Sequence, residues 1–267
     1  MTSLDYWTRQ VDKPLFPDAQ WNKPERKSSA GRLLIVGGNG FEFAKTQAAY
    51  TQALKNGVGK CRVVLPKTAN KMIGVMEDIE YVEVTKKGSF SLDSLPHIQE
   101  LMTWADMVLL PGELGRNSET TLLLEQIIDS MSTPVVVTRD NLELLKTSAK
   151  MLLQRQNTSL VLSLAQLQDL MQSAGWPVAI KFQMSLPELV KALHEITIKY
   201  PTNFIVYFQT NLVAAYDGEV TTTKLNNEPE TWRLTTATEL AAWQIWTSSK
   251  EALATTCWNF EPLAADR

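Results

Sequence analysis

The sequence predicts an α/β fold with a mostly parallel central sheet, helices on both faces and one antiparallel hairpin near the C-terminal end. Three observations carry that expectation. Short apolar runs recur and each is closed by Gly or Pro: Leu33–Val36 before Gly37-Gly38, Arg62–Leu65 before Pro66, Met107–Leu110 before Pro111-Gly112. Such runs suit strands buried on both faces. Stretches of helical pattern separate them at the spacing of βαβ units. Finally, Asp217-Gly218 lies between two strand-like segments, the sequence signal of a two-residue hairpin.

Taken in order, residues 1–31 read as an arm. Pro14, Pro17 and Pro24 interrupt it, and Trp7, Phe16 and Trp21 give it apolar anchors for the chain's own core or a second subunit. A strand at 33–36 is followed by a helix over about 41–56, stopped by Gly57-Val58-Gly59. Strands follow at 62–65 and 81–84. A helix over 92–104 has Pro96 in its first turn. After the strand at 107–110, a helix over 118–131 has Asn117 or Ser118 as its N-cap. The strands at 134–137 and 160–162 bracket a loop that starts at Thr138. Helices at 163–174 and 186–199, a strand at 204–208, the hairpin and a final helix over 236–252 complete the order. No Gly/Ser/Pro tract, repeat or low-complexity segment divides the chain, so a single domain over 1–267 is expected.

Composition excludes several functions. Lys and Arg total 26 against 29 Asp and Glu, a net charge of −3 that argues against nucleic acid held by a general basic field. Cys61 and Cys257 lie far apart with no C-x-x-C pair, so buried thiols in a reducing compartment are expected. His97 and His194 are too isolated for a histidine metal site, and neither has a nucleophile near it in sequence. With no signal-peptide core and no long apolar run, a cytoplasmic protein without a membrane partner is expected. Glu228, Glu230 and Glu239 could suggest a metal site, but a solvated loop explains the first two. Trp243 and Trp246 stand three apart on one helix and read as core or subunit packing rather than a base-stacking platform.

In open α/β sheets, ligands bind beyond the carboxyl ends of the strands, and three loops qualify. The first is the turn Gly37-Gly38-Asn39-Gly40, whose glycines let backbone approach a ligand, although it matches neither G-x-G-x-x-G nor a Walker motif. The second runs from Pro111 through Gly112, Glu113, Gly115 and Arg116 to Asn117, and suits a phosphate or sugar hydroxyl. The third is Thr138-Arg139-Asp140-Asn141, where Asp140 can hold a ribose or a metal-bound water, or cap the next helix.

These loops together resemble a known family. Lys23 to Pro66, with its L-L-I-V-G-G-N-G turn and A-L-K-N-G-V-G helix end, looks like the opening of the ADP-dependent NAD(P)H-hydrate dehydratases of the ribokinase-like superfamily. Residues 105–116, A-D-M-V-L-L-P-G-E-L-G-R, resemble that family's D-A-x-V-I-G-P-G-L-G-R. Residues 135–145, V-V-V-T-R-D-N-L-E-L-L, resemble V-V-L-D-A-D-A-L-N-L-L. The second half departs from the pattern. The family's T-P-H-P-G-E falls near Leu162–Gln166, its K-G near Phe208-Gln209, and its G-x-G-D at Thr236-Ala237-Thr238-Glu239.

The resemblance implies a ribokinase-like three-layer α/β/α fold. It also implies a small-molecule nucleotide partner, with ADP or ATP and Mg²⁺ as cofactors and a homo-oligomeric state. Ala44, Gly112, Gly115 and Asp140 would bind substrate. Gln209, Thr236, Ala237 and Thr238 would bind the nucleotide, with Glu239 as catalytic acid/base. The activity would be nucleotide-dependent dehydration of hydrated NAD(P)H, in which the hydrate's hydroxyl is phosphorylated and phosphate then leaves. Two alternatives stand beside it: a degenerate homologue that binds nucleotide weakly or serves as an assembly subunit, and a small-molecule kinase of the same superfamily.

Overall fold

The structure is a computed structural model that describes residues 4–225 and 232–260. Glu228 and Glu230 lie outside them. The described strands are β1 (Trp7–Gln10), β2 (Arg32–Val36), β3 (Lys60–Pro66), β4 (Ile79–Val82), β5 (Met107–Leu110), β6 (Val135–Thr138), β7 (Thr158–Ser163), β8 (Asn203–Phe208), β9 (Asn211–Tyr216) and β10 (Glu219–Lys224). The helices are α1 (Ala44–Asn56), α2 (Asn70–Ile73), α3 (Leu95–Trp104), α4 (Ser118–Ser130), α5 (Asn141–Leu144), α6 (Ala149–Gln154), α7 (Leu164–Ser173), α8 (Leu186–Lys199), α9 (Trp232–Trp246) and α10 (Ser249–Asn259).

All ten strands join one sheet in the order β1-β10-β9-β8-β7-β6-β5-β2-β3-β4. Side chains alternate across it with the period of two that a pleated strand imposes. Leu34, Val36, Val108, Leu110, Val135 and Val137 face one apolar layer with α3, α4, α7 and α8. Leu33, Ile35, Met107, Leu109 and Val136 face the other, with α1, α9 and α10. Both faces are covered, which is why the central strands read as unbroken apolar runs. The order reverses between β2 and β5: β3 and β4 extend to one side, and β5, β6 and β7 to the other. That reversal leaves a crevice beyond the strand ends.

Several boundaries moved for identifiable reasons. Helix α1 starts at Ala44 rather than 41 because Asn39 Oδ1 accepts the N–H groups of Phe41 (2.9 Å) and Glu42 (3.1 Å) and holds them in a side-chain turn. The single final helix expected over 236–252 is two helices, α9 and α10. Ser248 caps the second, its Oγ accepting the Glu251 N–H at 3.4 Å. Asp217 and Gly218, with φ of 45° and 77°, join β9 to β10 as expected. A second tight turn, Gln209-Thr210 (φ 45° and 63°), pairs β8 with β9 antiparallel as well, so the hairpin is one half of a three-stranded meander.

The N-terminal segment docks on its own chain. β1 pairs in parallel with β10, Trp7 opposite Val220. The Tyr6 ring stacks on His194 with centroids 3.5 Å apart. Trp246 Nε1 donates to the Ala30 carbonyl at 3.0 Å. Cys61 and Cys257 are buried free thiols, as expected. No helix among the described residues is long and apolar enough to cross a membrane.

Candidate functional site

The crevice at the reversal point holds a cleft of about 560 Å³, within the range of small-molecule sites. Five chain segments build it. The turn after β2 contributes Asn39 and Glu42, and the loop after β5 contributes Glu113, Gly115 and Arg116. Arg139, Asp140 and Glu143 follow β6, Gln166 stands in the first turn of α7, and Arg233 in the first described turn of α9.

Hydrogen bonds lock these segments together. Both Asp140 carboxylate oxygens accept the Glu113 N–H at 3.1 Å. The helix-cap role expected as an alternative for Asp140 is not adopted: it makes no side-chain cap bond to α5. Gly112 makes the contact with Glu113 feasible, because its φ is 106° and a Cβ there would lie 2.2 Å from Asp140 Oδ1. Glu113 takes φ 66°, accepts the Lys45 N–H at 2.9 Å through its carboxylate, and receives Asn39 Nδ2 on its carbonyl at 2.9 Å. Gly38 N–H reaches the Gly112 carbonyl at 3.1 Å and Gly40 N–H the Gly88 carbonyl at 2.9 Å, so the loops after β2, β4 and β5 form one unit.

The other end of the cleft is cationic. Gln166 Nε2 donates to the Arg139 carbonyl at 2.7 Å, and Gln166 Oε1 accepts from the Arg233 guanidinium at 3.0 Å. A capping box of Ser163 and Gln166 fixes this corner. Burial and the neighbouring positive charge of Arg139 pull the Arg233 pKa below its ordinary value, opposed by Glu143 and Asp140. Arg116 pairs with Glu143 at 3.0 Å on the exposed rim.

Of the residues singled out in sequence, Asn39, Gly115 and Asp140 line the cleft, while Gly37, Gly38, Gly40 and Gly112 shape the backbone behind them. Ala44 is the exposed first residue of α1 and lies off the lining. Gln209 is an exposed turn residue at the end of β8. Thr236, Ala237 and Thr238 were expected at a helix start. They lie instead inside α9 and are buried. Interior helical N–H groups are already bonded within the helix, so this segment offers no anion hole.

Glu239, two turns into α9, is turned to Trp243, Asn259 and the arm. Its carboxylate accepts Trp243 Nε1 at 3.3 Å, and burial pushes its pKa up to about 7 against the Trp243 and Asn259 hydrogen bonds and the charge of Lys23. It does not line the cleft. Sequence reasoning missed Arg233, since it started the last helix after it. Gln166 carried a readable signal in the Ser-x-x-Gln spacing of its capping box. A second cavity of about 220 Å³ between α1, β3 and β4 is mostly apolar, with Phe43, Tyr50 and Ile73 on its walls, and gathers no comparable set of charged groups.

No family model matches the chain. Over 139 residues it is 30% identical to the bifunctional NAD(P)H-hydrate repair enzyme Nnr of Moorella thermoacetica, a match covering 48% of this chain and 26% of that protein. The bifunctional repair enzyme of Methanothermobacter thermautotrophicus is 30% identical over 125 residues, covering 46% of this chain and 24% of that one. The matches thus span about a quarter of the length of these curated relatives. A ribokinase-like superfamily protein from Enterococcus faecalis superposes with a TM-score of 0.70 at 12% identity, covering 95% of this chain and 87% of that one. The ADP/ATP-dependent NAD(P)H-hydrate dehydratase of Bacillus subtilis, co-crystallised with ATP and Mg²⁺, superposes at 0.58 and 12% identity, covering 92% and 87%. The chain therefore has a ribokinase-like fold and is related in sequence, over about half its length, to the NAD(P)H-hydrate repair enzymes.

Proposed function

We propose that this protein binds a small nucleotide in the cleft at the reversal point and does not dehydrate hydrated NAD(P)H. The observation that carries this reading is the separation of Glu239 from the cleft. The carboxylate that the resemblance assigns as acid/base is engaged by Trp243 and Asn259 on the arm side of α9. A general acid must come within hydrogen-bond reach of the proton it moves, directly or through one water. The nucleotide-binding residues that the resemblance implies at Thr236–Thr238 lie inside the helix, where their N–H groups are already bonded.

The substrate half supports binding. Asp140 and Asn39 hold the loops after β6 and β2 against the loop after β5, so the cleft's lining is preorganised rather than assembled by the ligand. Mg²⁺ would arrive with the nucleotide. Among the described residues no three His, Cys, Asp or Glu side chains gather as a metal site. Mg²⁺ is characteristically held by phosphate oxygens and water with one or two carboxylates, and Asp140 and Glu143 are the ones beside Arg233. When bound, it neutralises phosphate charge.

The dehydratase reading retains the support of the 30% identity to the repair enzymes. It requires an acid other than Glu239. One pair of experiments separates the two readings. Thermal denaturation with ADP, ATP and NADH, each with Mg²⁺, is expected to give an upward shift. At about 100 times the dissociation constant the ligand adds roughly 2.7 kcal/mol. The companion assay of NADH-hydrate turnover with ADP or ATP is expected to stay at background for both the wild type and Glu239→Gln. Turnover above background would overturn the non-catalytic reading.

A further inference from the structure

We infer that Arg139 and Arg233 form a phosphate-binding site within the cleft, built from side-chain guanidinium groups and joined by Gln166. This inference rests on the nucleotide reading and names the group that the cationic end of the cleft receives.

The geometry points to an anion. Gln166 bonds the Arg139 carbonyl with its nitrogen and the Arg233 guanidinium with its oxygen, so one amide ties both arginines to the same corner. The Nε of Arg139 is buried without a hydrogen-bond partner. A buried, unsatisfied cationic donor is costly, and an anion held at the guanidinium's terminal nitrogens offsets that cost electrostatically. Arg139 also holds φ 61°, an uncommon backbone conformation for a residue with a side chain. The two arginines are near enough to repel, and among the described residues neither pairs with a carboxylate.

The neighbouring acids Asp140 and Glu143 attract Arg233 across the cleft, but neither comes within ion-pair distance of Arg139 or Arg233. Asp140 accepts the Glu113 N–H, Glu143 pairs with Arg116, and Glu113 accepts the Lys45 N–H. Glu42 stands on the turn after β2, two strands from β6 in the sheet. Guanidinium forks suit phosphate oxygens because two N–H groups can meet two oxygens at once. Arg139 stands where the resembled motif has Ala, and Thr236–Thr238, expected to bind nucleotide, have their N–H groups already bonded inside α9. Cationic side chains thus take over from backbone donors.

The probes are inorganic pyrophosphate, ADP and adenosine, titrated calorimetrically at low salt against wild type, Arg139→Gln, Arg233→Gln and Arg139→Lys. Arg62→Gln, which alters an arginine on β3 outside the cleft, is the control. Each Gln variant should bind ADP and pyrophosphate roughly 10- to 100-fold more weakly. Arg139→Lys should fall between, and adenosine affinity should not change. Arg139→Gln relieves a repulsion, so its ligand-free melting temperature should not fall; Arg233→Gln also loses the bond to Gln166, and for it the unchanged adenosine affinity separates lost phosphate binding from lost folding. A second measurement needs only the wild type. Pyrophosphate should protect peptides carrying Arg139 and Arg233 from phenylglyoxal, but not those carrying Arg62.

If both Gln variants bind ADP and pyrophosphate as tightly as wild type, or if protection misses both arginines, the phosphate site is elsewhere while the nucleotide reading stands. If wild type binds none of pyrophosphate, ADP, ATP or NADH, both readings fall together.

Discussion

Glu239 illustrates how far one side chain's environment can depart from the role its position suggests. A pKa near 7 is what a general acid at neutral pH needs, yet here it arises from burial against the arm. The consequence is a stability effect. The folded-state pKa lies above the unfolded carboxylate value of 4.5, so the folded protein holds the proton more tightly. Stability from this group is therefore fully present below about pH 4.5 and is lost as pH rises through about 7. Two and a half pKa units correspond to an upper bound of about 3 kcal/mol at pH 8. Glu239→Gln mimics the protonated form. The variant should match wild type at pH 5 and melt roughly 5–10 °C higher at pH 8. Equal melting temperatures for the two proteins at pH 8 would show that the carboxylate is not desolvated in the folded state.

At the scale of elements, the parallel half was legible because each strand is bounded by its own punctuation. Gly37-Gly38, Pro66 and Pro111-Gly112 stand at or just after the ends of β2, β3 and β5, and Asn117 caps α4 through a 2.9 Å bond from the Thr120 N–H. The loops that these strand ends launch were legible for the same reason, and Asp140, Gly115 and Asn39 lie in the cleft. The meander was only half legible. Asp217-Gly218 is a known hairpin pair, but Gln209-Thr210 is an unusual choice for two left-handed residues, and nothing local announces it. The start of α9 was obscured by Thr235, Thr236 and Thr238, which are weak helix formers and draw attention away from the buried Trp232 and Leu234 before them. Thr210 sits at φ 63° with a β-branched side chain, which costs about 1–2 kcal/mol. Its exposed side chain can be removed without a packing loss, and the Leu225 N–H bond at 2.6 Å uses its backbone carbonyl. Thr210→Gly should therefore gain about 0.5–1 kcal/mol after the added unfolded-chain entropy, raising the midpoint by roughly 1–4 °C. A lower midpoint for the glycine variant would mean that the turn is not left-handed at that residue.

Across the whole molecule, β1 lies at one edge of the sheet and the chain after it returns to the middle, so the arm is a structural tie. β1 completes the edge that β10 would otherwise expose, and residues 11–31 lead back to β2 beside α9 and α10. The arm's route was not legible: its prolines and aromatics announce an anchored segment, but neither composition nor spacing names the surface it meets. Gln10 shows the anchoring in one residue. It is buried, donates to Thr223 Oγ1 at 2.7 Å and the Ala254 carbonyl at 2.9 Å, and accepts the Leu15 N–H at 2.8 Å. It thereby joins the arm, β10 and α10 at one point. Gln10→Ala leaves those partners unsatisfied in a buried place and should cost about 2–3 kcal/mol. The midpoint should then fall by roughly 4–12 °C. If the arm folds as part of the core, that loss appears as one shifted transition with its cooperativity retained. A separate early transition, with the main midpoint unmoved, would instead make the arm an appendage that melts by itself.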